Sequence, residues 1–191
     1  RLDTRAKYCG RYVSLRDELA LMKEEQVKII KNYIAVSEFG AARFKDLFNI
    51  EDPINIVYNG VDTSNVFKKA FPETSRVFYF GTLSHAKGTD RLIDIFNEIA
   101  VKTPHIELYI AGKTQEYYDQ EVYPKFNKDV QSKIKFLGFL SKEDIEKHID
   151  KSTYIIFPSR LENFSVAMLE AMSRGRICFG WNIPSFNEIL N

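Results

Sequence analysis

Between Val77 and Gly180 short apolar runs alternate with longer amphipathic ones, and no other feature of the chain constrains its fold as tightly. The runs VFYFG (77–81), IELYIA (106–111), IKFLG (134–138), TYIIF (153–157) and residues 176–180 have strand length and are rich in β-branched and aromatic residues. Strands that are apolar on both sides need cover on both sides. The intervening segments 89–102, 115–131, 141–150 and 164–174 are long enough to be helices that supply it. The pattern predicts an α/β fold with a doubly wound parallel sheet. In such sheets ligands lie outside the carboxyl ends of the strands, here the loops after Phe80, Ala111, Leu137 and Phe157.

A smaller αβαβ piece precedes this block. Leu15, Leu19, Met22, Val27 and Ile30 recur at helical spacing, predicting a helix over 14–32. YIAVSE (33–38) and INIVYNG (54–60) read as strands around a helix at 39–48. Residues 63–75 hold no sustained period and contain Pro72, so they read as a linker. Charge narrows the function: 27 basic against 26 acidic residues leave a net charge of +1, too little for a field that would gather nucleic acid. Cys9 and Cys178 stand alone, which argues against a disulfide framework or a thiolate metal site and for a reducing compartment. No apolar run reaches the roughly 18 residues of a membrane span, so the expectation is a soluble, cytoplasmic chain.

Two of the strand-end loops carry the chemistry. GTLSHAKG (81–88) brackets Thr82 and Lys87 with Gly81 and Gly88, just before a helix whose free N–H groups could join Lys87 in holding an anion. It is neither a Walker A loop nor GxGxxG, and taken alone it reads better as a tight turn shaped by Gly81 and Gly88 with a solvated Lys87. PSRLENFSVAMLEAM (158–172) raises a sharper question. Glu162 and Glu170 sit in a segment so apolar that the helix containing Glu170 is expected to be buried on nearly every side. A buried carboxylate needs a partner. A bound phosphate would repel it, so the partner is either a neighbouring cation or the hydroxyl groups of a sugar or ribose.

The ordered set NGVD (59–62), GTLSHAKG, IAGK (110–113), FLGFL (136–140), PSRLENFSVAMLEAM and PSFNEIL (184–190) resembles retaining glycosyltransferases of the GT-B fold, and within them glycosyltransferase family 4, the glycosyl transferases group 1 domain. Glu162 and Glu170 match that family's E-x7-E motif, and the resemblance covers about Tyr33 to Asn191. It implies that residues 1–62 are the tail of an amino-terminal acceptor domain and that 76–191 form most of a Rossmann-like donor domain. It also implies specific roles. Glu170 would hold ribose hydroxyls and Glu162 the donor sugar, with Glu162 and Lys87 as the catalytic residues. Lys87 would grip the diphosphate beside Gly81, Thr82 and the amides of Asn163, Phe164 and Ser165, with the base near Gly138, Phe139 and Leu140.

The implied partners are a UDP- or GDP-sugar donor and a saccharide or lipid-linked acceptor, in the synthesis of cell-surface polysaccharide. They suit a cytoplasmic protein or one held peripherally at the inner face of a membrane. No metal or other cofactor is expected, since the chain contains no D-x-D and the leaving diphosphate would rest on Lys87 and helix amides. Two positions depart from the family pattern: Thr82 replaces its usual arginine, and Ser165 its usual glycine. The missing cation shifts the expected diphosphate contacts toward Lys87 and, beside it, Arg160 or His85. With so little acceptor domain, the chain is expected to bind nucleotide without transferring sugar alone. A decayed donor domain serving as a binding module, or an epimerase on the same fold, are the readings from other classes.

Overall fold

The computed structural model describes residues 32–63, 72, 75–113 and 115–190. The helix expected over 14–32 lies outside the described residues but for its last one, as does most of the expected linker. The first described unit is a βαβ turn of chain: β1 (Tyr33–Ala35), α1 (Glu38–Phe48) and β2 (Ile54–Ile56), with the two strands parallel. Ser37 caps α1 by accepting a hydrogen bond from Gly40 N, and the helix ends at Asn49, which adopts the left-handed conformation that asparagine tolerates. Strand β2 covers less of 54–60 than expected.

The second unit is the main sheet. Its elements are β3 (Arg76–Phe80), α2 (Thr89–Lys102), β4 (Glu107–Ala111), β5 (Ile134–Gly138), α3 (Lys142–Asp150), β6 (Tyr154–Phe157), α4 (Val166–Ser173), β7 (Ile177–Gly180) and α5 (Pro184–Leu190). All five strands run parallel in the order β5-β4-β3-β6-β7, as the sequence predicts for a doubly wound sheet. One core lies under α2, where Leu92, Ile93 and Phe96 meet Val77, Leu108 and Ile110. The other lies under α4 and α5, where Met168, Ala171 and Phe186 meet Phe78, Ile155 and Phe157. Burying a side chain such as Phe78 or Phe96, both essentially inaccessible, contributes about 1.5–3 kcal/mol against leaving it in water. Each sheet face therefore holds its own layer of helices. The direction of winding reverses between β3 and β6, so the loops after these two strands flank the switch point.

One expected helix is not there as such. Residues 115–131 form a single helical turn (Gln115–Tyr117), a π-helical stretch (Tyr118–Val122) and a 3-10 turn (Tyr123–Lys125) before leaving helical geometry. Pro124 is the physical reason, because it has no N–H to continue the ladder and its ring crowds the preceding turn. The aromatics of this stretch are core: the Tyr118 ring stacks on Phe136 with centroids 4.0 Å apart.

At the amino end of β3, far along the strand from the loops above, the Arg76 guanidinium lies 3.3 Å from the Tyr109 ring centroid and meets His148 Nδ1. That nitrogen accepts only when unprotonated. Burial first, then the Arg76 and Lys151 charges, hold the His148 pKa below its ordinary 6.5, against an opposing pull from Asp144. A base with a depressed folded pKa binds more protons when unfolded, so this contribution is whole above pH 6.5 and shrinks as the pH falls below it. The urea midpoint is expected to decline from pH 7 to pH 5, and His148→Gln to flatten that decline. An equal pH slope in both proteins would remove His148 from the account.

Candidate active site

The loop after β3 is built around Thr89. Its buried hydroxyl accepts from Ser84 N at 2.8 Å and donates to Ser84 O at 3.1 Å, which coils residues 84–89 onto the start of α2. Gly88 closes the coil with φ +71, and a Cβ there would stand 1.9 Å from Pro158 O, so the loop after β3 and the loop after β6 touch backbone to backbone. Arg160 N donates to Ala86 O at 2.9 Å across the same seam. The Arg160 fork then reaches over to Asp90, at 2.7 and 2.5 Å, and to His85 O at 2.7 Å. The Arg160 hydrogen bond is the main reason that the Asp90 carboxyl sits below its usual range.

This contact brings together the two residues expected to be catalytic. Lys87 Nζ lies 2.6 Å from Glu162 Oε1, and the same oxygen accepts from the buried Ser159 hydroxyl at 2.8 Å. The pair is unevenly wet, with the Lys87 side chain 37% exposed and that of Glu162 13%. The plain-turn reading of a solvated Lys87 is therefore corrected: its charge is spent on a carboxylate 75 positions away. The supporting place expected for Arg160 is corrected too. Its planar fork is already filled by Asp90, which makes it a clamp between the loops rather than a spare cation.

The carboxyl ends of β3, β4 and β5 pack closely beside this seam. Gly81 N donates to Ala111 O at 3.0 Å and Gly112 N to Gly138 O at 2.9 Å. A cleft of about 190 Å³ opens over them, lined by Gly81, Thr82, Lys113, Phe139 and Leu140 among others. Four residues predicted for the nucleotide, Gly81, Thr82, Phe139 and Leu140, thus share one cleft; Gly138 is not among its lining residues and touches it only through the hydrogen bond from Gly112 N. The Lys113 ammonium stands 4.8 Å from the Phe139 ring centroid, and Phe139 is 68% exposed. Thr82 turns its carbonyl to the Tyr79 hydroxyl at 2.9 Å.

Helix α4 starts at Ser165, whose hydroxyl accepts from Met168 N, so this serine caps the helix. The N–H groups of Asn163, Phe164 and Ser165 meet no acceptor among the described residues. The helix is not buried on every side: Met168 and Ala171 are fully covered, but Val166 and Met172 are each 37% exposed, because only one face meets the sheet. Glu170 accordingly sits half-buried. Its carboxylate accepts no hydrogen bond from the described residues and faces a cavity of about 300 Å³ shared with Asp62, Lys142, Glu146 and Arg174. Asn163 lines another cavity, of about 700 Å³, with residues of β1 and α1, while the Phe164 ring packs 5.6 Å from Tyr58. Glu162 and Lys87 are brought into contact; Glu170 and Asn163 open onto other cavities. Two supporting residues escaped sequence reasoning. Asp90 reads simply as an acidic first turn, and Ser159 shows only as a polar residue three positions before Glu162.

A doubly wound sheet whose switch point is flanked by a glycine-bracketed lysine loop and a carboxylate-bearing loop defines an α/β protein of the ligand-binding kind. Residues 62–191 match the family model for glycosyl transferases group 1, and the chain belongs to that family. Among curated relatives, it is 29% identical over 136 residues to the capsular polysaccharide biosynthesis glycosyltransferase CapH of Staphylococcus aureus, covering 70% of this chain and 38% of that protein. It is 25% identical over 135 residues to the GDP-mannose:cellobiosyl-diphosphopolyprenol alpha-mannosyltransferase of Xanthomonas oryzae, covering 70% of this chain and 36% of that one. The chain thus spans well under half the length of these relatives. Of solved structures, HepE from Anabaena in complex with UDP and glucose superposes with a TM-score of 0.75 at 19% identity, over 92% of this chain and 51% of that one. At that identity the likeness speaks for the fold, which is shared with GT-B glycosyltransferases. No helix among the described residues is long and apolar enough to cross a membrane.

Proposed function

We propose that this chain carries the donor side of a retaining glycosyltransferase that moves a hexose from a nucleotide sugar to a saccharide or lipid-linked acceptor. The Lys87–Glu162 contact across the switch point carries the reading, because it sets a cation for phosphate and a carboxylate for sugar hydroxyls side by side. The nucleobase lies in the cleft beside Gly81 and Thr82, against Phe139 and Leu140. The diphosphate is held by Lys87 and by the amides of Asn163, Phe164 and Ser165, whose N–H groups meet no acceptor among the described residues. Glu170 takes ribose hydroxyls and Glu162 the hydroxyls of the donor sugar. As the glycosidic bond to phosphate breaks, negative charge grows on the diphosphate, and preorganised donors at that place lower the barrier. The capsular and diphosphopolyprenol relatives support an acceptor used in cell-surface polysaccharide synthesis.

Titration of the protein with UDP and GDP, followed by calorimetry, tests this reading. Binding of one of them is expected, and Glu170→Ala is expected to weaken it by about 10-fold or more, the loss of hydrogen bonds to a charged acceptor. Equal affinity in wild type and variant would take ribose recognition away from Glu170.

A further inference from the structure

Lys87 and Glu162 satisfy one another. Their 2.6 Å contact is reinforced by Ser159, which donates to the same Glu162 oxygen, and the carboxylate is the more sheltered of the two groups. No other described cation stands within ion-pairing distance of Glu162, and no other described carboxylate within that distance of Lys87. Any anion that takes the Lys87 ammonium must therefore either displace the Glu162 carboxylate or share the ammonium with it at a cost in repulsion.

From this geometry we infer that diphosphate entry is an exchange: the ligand's phosphate takes Lys87 from Glu162, and the released carboxylate, still held by Ser159, becomes free to accept hydrogen bonds from the donor sugar. The inference rests on the proposed function and adds a device to it. Glu162 is a built-in competitor for the phosphate site, and its release for sugar binding is coupled to occupancy of that site. Two consequences separate this from a mere proximity of charges. A ligand with phosphate but no sugar meets only the cost of exchange, because nothing rewards the freed carboxylate. A ligand with base and ribose but no phosphate leaves the pair untouched.

The test compares UDP, inorganic pyrophosphate and uridine on wild type, Glu162→Gln and Lys87→Met, with thermal unfolding to establish that each variant is folded. Glu162→Gln keeps the shape and the Ser159 hydrogen bond but drops the charge. It is expected to bind UDP and pyrophosphate more tightly than wild type, by roughly threefold to tenfold for a partly exposed pair, with uridine unchanged. Lys87→Met should bind UDP and pyrophosphate more weakly than wild type. If Glu162→Gln binds UDP no better than wild type while Lys87→Met binds it worse, the exchange is overturned and the donor-site reading stands. If Lys87→Met binds UDP and pyrophosphate as well as wild type, Lys87 is not the phosphate cation and the exchange falls. If neither wild type nor Glu162→Gln binds UDP, GDP or pyrophosphate, both ideas fall together.

Discussion

Gly88→Ala is expected to lower stability by about 3–5 kcal/mol, from the strain of a left-handed residue and the overpacking of a well-filled contact. Two causes add at this position. The backbone lies at φ +71, a conformation that L side chains rarely adopt, and the new Cβ would stand 1.9 Å from Pro158 O. That neighbour is backbone, so no rotamer change can make room, and the two loops must move apart. For a domain of this size each kcal/mol shifts the melting temperature by about 2–4 °C, so the fall should be roughly 6–20 °C by circular dichroism. Gly175→Ala isolates the first cause. Its φ is +69 but its added Cβ meets nothing within 4 Å, so it should lose only the strain, about 1–2 kcal/mol. Equal melting temperatures for the two variants would show that the loops do not depend on the Gly88–Pro158 contact.

The same contact explains what the sequence could and could not convey. Helix α2 occupies the expected 89–102 and β5 the expected 134–138, because each is defined by its own residues: an apolar stripe at helical spacing in one, a β-rich run ended by Gly138 in the other. The doubly wound sheet follows from the order of such elements. Where the outcome depended on distant chain, local pattern misled. Residues 164–174 hold so many apolar side chains that burial all round was the natural expectation, yet the sheet covers only the side of Met168 and Ala171. In 115–131 the helical pattern was real but Pro124 outweighed it. The glutamates and lysine of the site were legible as residue types in the right loops. The ion pair between Glu162 and Lys87, and the Arg160–Asp90 clamp beside it, join residues 75 and 70 positions apart, and no periodicity encodes such pairs.

Lys87→Met is expected to cost the largest share of ligand affinity. With threonine at 82 and the Arg160 fork closed on Asp90, Lys87 is the ammonium at the seam between the two loops, and without it the seam itself offers the diphosphate chiefly neutral amides. Losing a charge-assisted hydrogen bond costs about 1.5–3 kcal/mol, or roughly 10- to 100-fold in UDP affinity. Any sugar transfer that the protein supports should fall further, by about 10²- to 10³-fold, because the charge on the leaving diphosphate is greatest after the bond to the sugar has begun to break. A simpler cause has to be separated from this one. Removing Lys87 also strands the Glu162 carboxylate, 13% exposed, where it would repel phosphate whatever Lys87 had contributed. The double variant Lys87→Met/Glu162→Gln decides between them. If repulsion is the cause, the second substitution restores UDP affinity to near that of wild type; if the lost cation is the cause, affinity recovers only in part and stays well below that of Glu162→Gln alone.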